Sequence, residues 1–235
     1  MNDERFSAIL GDEYKLLRHA YLHHDEFQSK VAELLAKHVN NWDNTEIKVI
    51  EGGSGTGVST SFLLNADPRV FVIAVDSEIK MLSQAKEVLN DLFLRTEQIN
   101  RDLLEFCSEQ KAGSFDAFVS VWTLHNLQPD YRNRLFGEIY RILRVDGIFI
   151  SGDKYAVEDE DKHKEMLDMQ LSRFKSFGTM GSKELADSWV KHNLEDDEIK
   201  MSEFEQVEIL RNLGFGNVET GYRKDMEAVI SAIKR

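Results

Sequence analysis

Four apolar runs along the chain have the length and composition of β-strands. They are "IKVIE" (47–51), "VFVIAVD" (70–76), "FDAFVSVWTL" (115–124) and "GIFISGD" (147–153). Continuous apolar runs are typical of strands that are buried on both faces. Around them, apolar residues recur with helical spacing, which predicts helices over 14–39, 58–65, 78–93 and 131–143. Because strands and helices alternate, the pattern predicts right-handed βαβ units around a parallel sheet.

The second half of the chain departs from this alternation. Residues 157–199 form a long charged stretch with helical spacing, and its acidic runs are typical of solvated helix faces. A helix over 202–215 follows, and then two β-rich runs, "GNVETGYRK" and "EAVISAIKR", which predict an antiparallel pair at the sheet edge. We therefore predict a single domain over 1–235, with an N-terminal helical cap (1–44) and a helical insertion (157–200) that acts as a lid.

Composition and charge exclude several classes of protein. Hydrophobic residues make up 42% of the chain and charged residues 30%, which is typical of a globular protein. No apolar run is long enough to span a bilayer, and the N-terminus has no apolar signal region, so we predict no membrane contact and a cytoplasmic location. A net charge of −13 disfavours direct nucleic-acid binding. We also predict no metal, because Cys107 is a single cysteine and the neighbouring His23 and His24 face different directions.

The segment "KVIEGGSGTG" (48–57) connects the first predicted strand to a helix through a glycine-rich loop. It does not fit a dinucleotide-binding loop, because Val58 stands where a glycine is needed, nor a Walker loop, because no Gly-Lys-Ser/Thr follows. Glu51 at the start of the loop would repel a pyrophosphate and suits a ligand with a cationic group. Asp76 at the end of the second strand suits the two hydroxyls of a ribose. A ribose and a cationic group without phosphate describe S-adenosylmethionine.

Four motifs in the chain resemble, in their order, those of a known family. "IEGGSGTG", "VDSEIKML", "NRDLLEF" and "FDAFVSVWTLHNL…IYRILRVDGIFI" resemble the successive motifs of class I S-adenosylmethionine-dependent methyltransferases. The resemblance extends over about 45–235. It implies an α/β fold of the Rossmann-like, doubly wound type, with a seven-stranded, mostly parallel sheet and one antiparallel strand near the edge. It also implies that the chain is an enzyme that uses S-adenosylmethionine.

The same resemblance implies a role for each matching residue. Glu51 is expected near the methionine amino group, Asp76 at the ribose and Asp102 at the adenine amino group. Met81 is expected against the adenine or, alternatively, in the helix core. The cofactor-binding residues that this resemblance implies are Glu51, Gly53, Ser54, Gly55, Asp76, Ser77, Met81, Asp102 and Leu103.

A narrower resemblance covers nearly the whole chain. "DERFSAIL", Tyr21 and "KHNLEDDEIKMSEFEQVEILRNLGF" are similar to carboxy-S-adenosylmethionine synthases, which supply a transfer-RNA wobble-uridine modification pathway. It implies that Tyr21 and Val121 contact the cofactor and that Lys191 stands at the arginine that holds the extra carboxylate. Lysine offers a point charge instead of a bidentate fork, Val121 replaces an asparagine, and the loop has an additional glycine. We therefore prefer an ordinary small-molecule methyltransferase, with a carboxy-S-adenosylmethionine synthase and a non-catalytic cofactor-binding sensor as alternatives.

The acceptor is expected over the ends of the fourth and fifth strands, beneath the first helix and the insertion. Methyl transfer from a sulfonium is an in-line displacement that needs alignment more than acid–base groups. We predict His125, as a proton acceptor, and Tyr155 as catalytic residues, and Trp122, Lys154 and Lys191 as substrate-binding residues. Alternatively, His125 faces water at a helix start and Trp122 is only a wall. The expected partner is a small-molecule substrate, and a homodimer is an open alternative.

Overall fold

The computed structural model describes residues 17–179 and 182–235. The strands are β1 (Ile47–Gly52), β2 (Val70–Asp76), β3 (Thr96–Asn100), β4 (Phe115–Val121), β5 (Leu143–Lys154), β6 (Phe215–Lys224) and β7 (Glu227–Lys234). The helices are α1 (Leu17–Ala20), α2 (His24–Val39), α3 (Val58–Ala66), α4 (Ile79–Leu89), α5 (Leu103–Glu109), α6 (Pro129–Ile142), α7 (Glu160–Thr179), α8 (Lys183–Glu198) and α9 (Glu203–Asn212). Short 3-10 turns lie at Asn90–Arg95 and Leu124–Asn126. Residues 1–16 of the predicted N-terminal cap lie outside the described residues.

The strands form one seven-stranded sheet in the order β3-β2-β1-β4-β5-β7-β6. Strands β1 to β5 are parallel to one another, and β7 runs antiparallel between β5 and β6. The predicted fold class is therefore confirmed: an α/β, Rossmann-like, doubly wound sheet with one antiparallel strand near the edge. The strand order reverses between β1 and β4, and in such sheets ligands bind outside the carboxyl ends of the strands at this reversal.

Successive side chains of a strand point to opposite faces of the sheet, so the apolar strands present an apolar surface on both faces. Helices cover both of these faces. Along β1, Val49 belongs to a core with α2, α3 and α4, and Ile50 belongs to a core with α5, α6 and α9. The insertion packs on the first of these faces, where Phe174 of α7 stacks on Trp189 of α8 with 5.3 Å between ring centroids. Each fully buried side chain of this size stabilises the fold by about 1.5–3 kcal/mol. The insertion is thus anchored by its own apolar residues.

Two predicted helices are shorter than expected. The prediction of one continuous helix over 14–39 is wrong within the described residues, because α1 ends at Ala20 and α2 begins at His24. Tyr21 stands at the break, and its buried ring packs on Trp122 at 5.0 Å between centroids. The helix predicted over 78–93 ends at Leu89, because the next residue, Asn90, has a φ of 48°, outside the right-handed helical region.

The boundaries of two later elements also differ from the prediction. Strand β5 begins at Leu143, four residues before the predicted 147, and its pairing with β4 shifts register after Phe115. The insertion forms two helices, α7 and α8, that pack on each other. Helix α9 begins at Glu203, one residue after the predicted 202, because Ser202 is its N-cap and forms a capping box with Glu205. It ends at Asn212, before the predicted 215, because β6 begins at Phe215.

Candidate functional site

A cleft opens at the carboxyl ends of β1, β2 and β4, where the strand order reverses. It is lined by Gly53, Gly55, Val75, Asp76, Ser77, Glu78, Met81, Asp102, Leu103, Trp122, Thr123, Asn126, Leu127 and Tyr131. Among the predicted cofactor residues, the structure brings seven to this cleft: Gly53, Gly55, Asp76, Ser77, Met81, Asp102 and Leu103. Trp122, predicted to bind the substrate, lies there as well.

The glycine loop forms the floor of the cleft and needs its glycines. Gly53 has a φ of 70° and donates its amide to the Val75 carbonyl oxygen at 2.8 Å. A Cβ at Gly53 would lie 2.2 Å from Thr123 Oγ1, closer than non-bonded atoms approach. Gly55 has a φ of 54°. A left-handed backbone and close packing therefore explain two of the glycines.

Asp76 connects the glycine loop to the segment after β2. Its carboxylate accepts the Gly55 amide at 2.8 Å and the Glu78 amide, also at 2.8 Å. Burial raises the pKa of Asp76, and the two amide hydrogen bonds oppose that rise. Each carboxylate oxygen has a second lone pair, so the group is held in place with acceptor capacity for ribose hydroxyls.

Glu51 lies just before the glycine loop and is buried, with 1% of its surface exposed. Thr60 Oγ1 donates to Oε2 of Glu51 at 2.5 Å, while Oε1 has no hydrogen-bond partner among the described residues. Burial raises the pKa of Glu51 to about 8; the Thr60 hydrogen bond lowers it and the charge of Asp76 raises it. A buried carboxyl oxygen without a donor is costly unless a ligand provides one.

Asp102 and Tyr131 form the side of the cleft that faces α5. The Asp102 carboxylate caps α5 by accepting the Glu105 amide at 3.0 Å, and it accepts the Tyr131 hydroxyl at 2.9 Å. The Tyr131 oxygen in turn accepts the Leu104 amide at 2.9 Å. This chain of hydrogen bonds fixes the carboxylate in the wall of the cleft.

Four predicted cofactor residues do not line the cleft. Glu51 and Ser54 are buried beside the glycine loop, and Val121 is buried at the end of β4. Tyr21 is separated from the cleft by Trp122, on which its ring packs. Trp122 itself adopts a φ of 50°, which positions its ring between the cleft and Tyr21.

The two residues predicted to be catalytic are held by hydrogen bonds away from the cleft lining. His125 is buried; its Nδ1 bonds to Asp153, and its Nε2 lies 3.7 Å from Oδ2 of Asp196 on α8. The hydroxyl of Tyr155 donates to Gln206 Oε1 at 3.0 Å and lies in the core. Burial raises the pKa of Tyr155 well above its ordinary value.

The two lysines predicted to bind the substrate differ in how much of the side chain is exposed. Lys191 has 78% of its side chain exposed and lies 3.7 Å from Glu195. Lys154 is buried, and its Nζ donates to Asn193 Oδ1 at 3.2 Å. Lys154 lines a second, narrow cavity between the end of β5, the start of β7 and α7. We call this the inner cavity; it is lined by Tyr21, Leu22, His23, Lys154, Met166, Met169, Gln170, Arg173, Asp225, Met226 and Glu227.

Sequence reasoning missed part of the cleft. Thr123, Asn126 and Leu127 follow β4 directly, and the rule that ligands bind where strand order reverses would have included them. Tyr131 lies on α6, and no sequence signal marks it. Among the described residues, no group of three or more His, Cys, Asp or Glu side chains is placed to hold a metal ion.

Comparisons with known proteins agree with this arrangement. A family model described as a methyltransferase domain matches residues 49–147. A carboxy-S-adenosyl-L-methionine synthase from Nautilia profundicola is 29% identical over 196 residues, covering 83% of this chain and 81% of the relative. The enzyme of the same name from Sulfurimonas denitrificans is 25% identical over 240 residues, covering 99% of this chain and 93% of the relative.

Solved structures show the same fold. An O-methyltransferase family protein from Burkholderia thailandensis has a TM-score of 0.67 and 12% identity, with 98% of this chain and 61% of that chain covered. Haemonchus contortus phosphoethanolamine N-methyltransferase 2, in complex with S-adenosyl-L-methionine, has a TM-score of 0.56 and 16% identity, with 86% and 52% covered. The chain thus spans about half to two thirds of the length of these solved structures.

Residues 49–147 therefore carry a methyltransferase domain, and the fold is that of class I S-adenosylmethionine-dependent methyltransferases. The chain is an S-adenosylmethionine-dependent enzyme, so the predicted family and cofactor are confirmed. No helix among the described residues is both long and apolar enough to cross a membrane.

The residues present fit this cofactor. The glycine loop lies close to Thr123 and Met81 in the cleft lining, where an added Cβ at Gly53 or Gly55 would crowd them, and Asp76 is positioned with acceptor capacity toward the cleft. Glu51 adds a buried carboxyl oxygen without a donor, which suits a cationic ligand above the loop.

Proposed function

We propose that the chain transfers a methyl group from S-adenosylmethionine to a small-molecule acceptor. The observation that carries this proposal is the charge of the cleft. Its described lining includes three carboxylates, Asp76, Glu78 and Asp102, and no lysine, arginine or histidine. Such a lining suits a cationic sulfonium cofactor and offers no counter-charge to an additional carboxylate. The net charge of −13 further favours a small molecule over a nucleic acid as the acceptor.

The residues of the cleft act mainly by binding and orientation. When bound, S-adenosylmethionine supplies a methyl group activated by its sulfonium. Asp76 accepts hydrogen bonds from ribose hydroxyls, Gly53 and Gly55 allow close approach of the backbone, and Met81 and Leu103 provide apolar contact. Trp122 closes the side toward the insertion and excludes water there. Holding the reacting groups in line is the largest contribution that such a site makes.

The roles predicted for His125 and Tyr155 stay predictions. Both nitrogens of the His125 ring face carboxylates, those of Asp153 and Asp196. In this arrangement the His125 ring connects Asp153 at the end of β5 to Asp196 on α8. Contact between His125 and an acceptor therefore requires His125 to separate from Asp196. The cytoplasmic location and the homodimer also stay predictions.

A second candidate function is supported by the relatives. Two relatives named carboxy-S-adenosyl-L-methionine synthase match this chain over 83% and 99% of its length. Against this candidate stands Lys191, which was expected to hold the extra carboxylate. Its side chain is 78% exposed and lies beside Glu195, and it does not line the cleft.

Mass spectrometry of the cofactor that copurifies with the protein separates the two candidates. We expect S-adenosylmethionine or S-adenosylhomocysteine, and a carboxylated cofactor would overturn the preferred function. In a second assay, the protein is incubated with S-adenosylmethionine carrying an isotope-labelled methyl group and with small-molecule acceptors. Label should appear in an acceptor, and S-adenosylhomocysteine should be released in equal amount. Asp76→Ala should abolish both signals, and Asp91→Ala, an exposed aspartate, should leave them unchanged.

A further inference from the structure

The inner cavity lies directly behind the cofactor cleft. Trp122 lines the cleft, Tyr21 lines the inner cavity, and their ring centroids are 5.0 Å apart. The two spaces are therefore separated by one pair of aromatic rings. A molecule in the inner cavity would have one end beside these rings, next to the cofactor cleft.

Two cations face the inner cavity without a counter-charge in contact. Lys154 is 7% exposed, and no described carboxylate lies within 4.0 Å of its Nζ; the hydrogen bond to Asn193 is to a neutral amide. Burial lowers the pKa of Lys154, and nearby carboxylates, Asp196 foremost, oppose this. The guanidinium of Arg173 on α7 has no hydrogen bond or ion pair with a described residue. A buried cation is costly unless it is paired, so an anion in contact with Lys154 would stabilise it, and the partly exposed Arg173 would supply a second cation.

Hydrogen-bond acceptors face the same cavity. Gln170 is 6% exposed, and its Oε1 has no hydrogen-bond partner among the described residues. Glu227 lies opposite Lys154 in the β5–β7 pairing. Burial raises the pKa of Glu227 to about 7, and the charge of Asp225 adds to the rise while Arg173, Lys154 and Lys224 oppose it. The inner cavity thus favours a ligand that has an anionic group and also an N–H or O–H donor.

The outer wall of the inner cavity is formed by flexible side chains. The cavity has a volume of about 20 Å³, which is enough for about one water molecule. Its wall includes Met166, Met169 and Leu22, of which Met169 and Leu22 are 43% and 65% exposed. Methionine has three rotatable bonds and repacks easily. A small ligand can therefore enter by moving these side chains.

We propose that the inner cavity is the acceptor subsite and that it binds a small hydroxy- or amino-carboxylate. The carboxylate lies between Lys154 and Arg173, and the hydroxyl or amino group donates to Gln170 while the acceptor is held there. For transfer, the Tyr21–Trp122 ring pair must move aside so that this group lies in line with the methyl carbon. This rests on the proposed function, because an acceptor is needed only if the chain transfers a methyl group. The subsite itself is a binding site for one class of anion and is measurable without turnover.

Ligand-observed saturation-transfer NMR tests this subsite. Glycolate, lactate and alanine are each compared with their amides, in the presence of protein saturated with S-adenosylhomocysteine. We expect at least one acid to bind, and about tenfold more tightly than its amide, because a charge-assisted hydrogen bond is lost in the amide. Arg173→Gln should weaken that acid about tenfold, and Lys175→Gln, which removes an exposed lysine of the same helix, should not.

Several outcomes would overturn the subsite. They are the absence of binding by all three acids, equal binding of acid and amide, and an equal effect of Arg173→Gln and Lys175→Gln. Arg173 is only partly buried, so its variant should fold, which circular dichroism verifies. Calorimetry with S-adenosylhomocysteine separates this proposal from the proposed function. If the cofactor product binds and no acid does, only the subsite is wrong; if the cofactor product does not bind, the proposed function is wrong.

Discussion

The cofactor cleft and the inner cavity lie on opposite sides of the Tyr21–Trp122 ring pair, and they are built in different ways. The cleft is shaped by backbone, through glycines with positive φ and amides that bind Asp76. The inner cavity is shaped by long side chains from α7, β5 and β7, which are distant in sequence. A backbone-shaped site tolerates few substitutions, whereas long side chains can be exchanged one at a time. The first construction suits a fixed cofactor, and the second suits a substrate that differs among relatives.

The largest expected effect concerns the buried acid under the cleft. Because the pKa of folded Glu51 is about 8 and its ordinary value is 4.5, the folded protein keeps a proton that the unfolded chain has released. Stability should therefore fall as pH rises from about 4.5 to about 8, by about 1.4 kcal/mol per pH unit. Glu51→Gln should remove this dependence and stabilise the cofactor-free protein by about 4 kcal/mol at pH 8. Urea unfolding at several pH values measures the free energy of unfolding.

The control for this experiment is Glu87→Gln, which changes an exposed glutamate on α4 and should leave the pH dependence intact. Glu51→Gln should also weaken S-adenosylmethionine binding at pH 8 and above, where Glu51 is ionised and attracts the cationic cofactor more than a neutral amide does. If Glu51→Gln has the same pH dependence of stability as the unmodified protein, the prediction is wrong and Glu51 is ionised in the folded state.

The second effect tests whether backbone shape defines the cleft. In Gly53→Ala, the new Cβ would meet Thr123 Oγ1 at 2.2 Å, and alanine is strained at a φ of 70°. We expect a loss of about 3 kcal/mol in the free energy of unfolding and, in calorimetry, about a hundredfold loss of cofactor affinity. Gly137→Ala is the matched control: no atom lies within 4 Å of its added Cβ on α6, so it should stabilise the protein by about 0.5–1 kcal/mol.

The third effect concerns the attachment of the insertion beside the inner cavity. Oδ2 of Asp196 lies 3.1 Å from His192 Nε2 and 3.7 Å from His125 Nε2. Asp196→Ala should destabilise the fold by about 2 kcal/mol, because two buried imidazoles lose a carboxylate. Hydrogen exchange should then be faster in α8 than in β1. If Asp187→Ala, at an exposed position of α8, has the same effect, the buried contacts are not the cause.

The smallest effect concerns the ring pair between the two spaces. If the predicted contact of Tyr21 with the cofactor exists, Tyr21→Phe should cost about 1 kcal/mol of cofactor affinity through one lost hydrogen bond. The phenylalanine ring would still pack on Trp122, so stability should change little. An unchanged affinity in calorimetry would mean that Tyr21 acts only as a wall between the cleft and the inner cavity.

The difference between the two spaces also explains what the sequence could predict. Gly53, Gly55 and Asp76 were predictable because a short strand, its loop and the next strand end bring them together by local geometry. Tyr131 was not, because it reaches Asp102 only through the packing of α6 on α5. Lys191 was assigned by position alone, and the direction in which α8 presents it depends on packing that the sequence pattern does not contain.

Helical periodicity predicted that the helices exist, but it predicted less well the residues at which they begin and end. The break at Tyr21 interrupts an apolar pattern that continues through it, since the buried Tyr21 ring packs on Trp122 and Phe174 from across the fold. In the same way, the alternative in which His125 faces water at a helix start is wrong, because the insertion covers this side chain with Asp196. Both errors arise from contacts between residues that are far apart in the chain.

The position of β7 between β5 and β6 has a consequence for how the chain acquires its fold. During synthesis, β5 is followed by α7, α8, α9 and β6 before its partner β7 is made. Until then, the β5 edge has unpaired backbone groups, and β6 has no neighbour in the sheet. Exposed strand edges pair readily with other chains, and pairing between distant segments is slow. The nascent chain is thus most exposed to aggregation in this interval, when chaperone binding to the β5 edge would have its greatest effect.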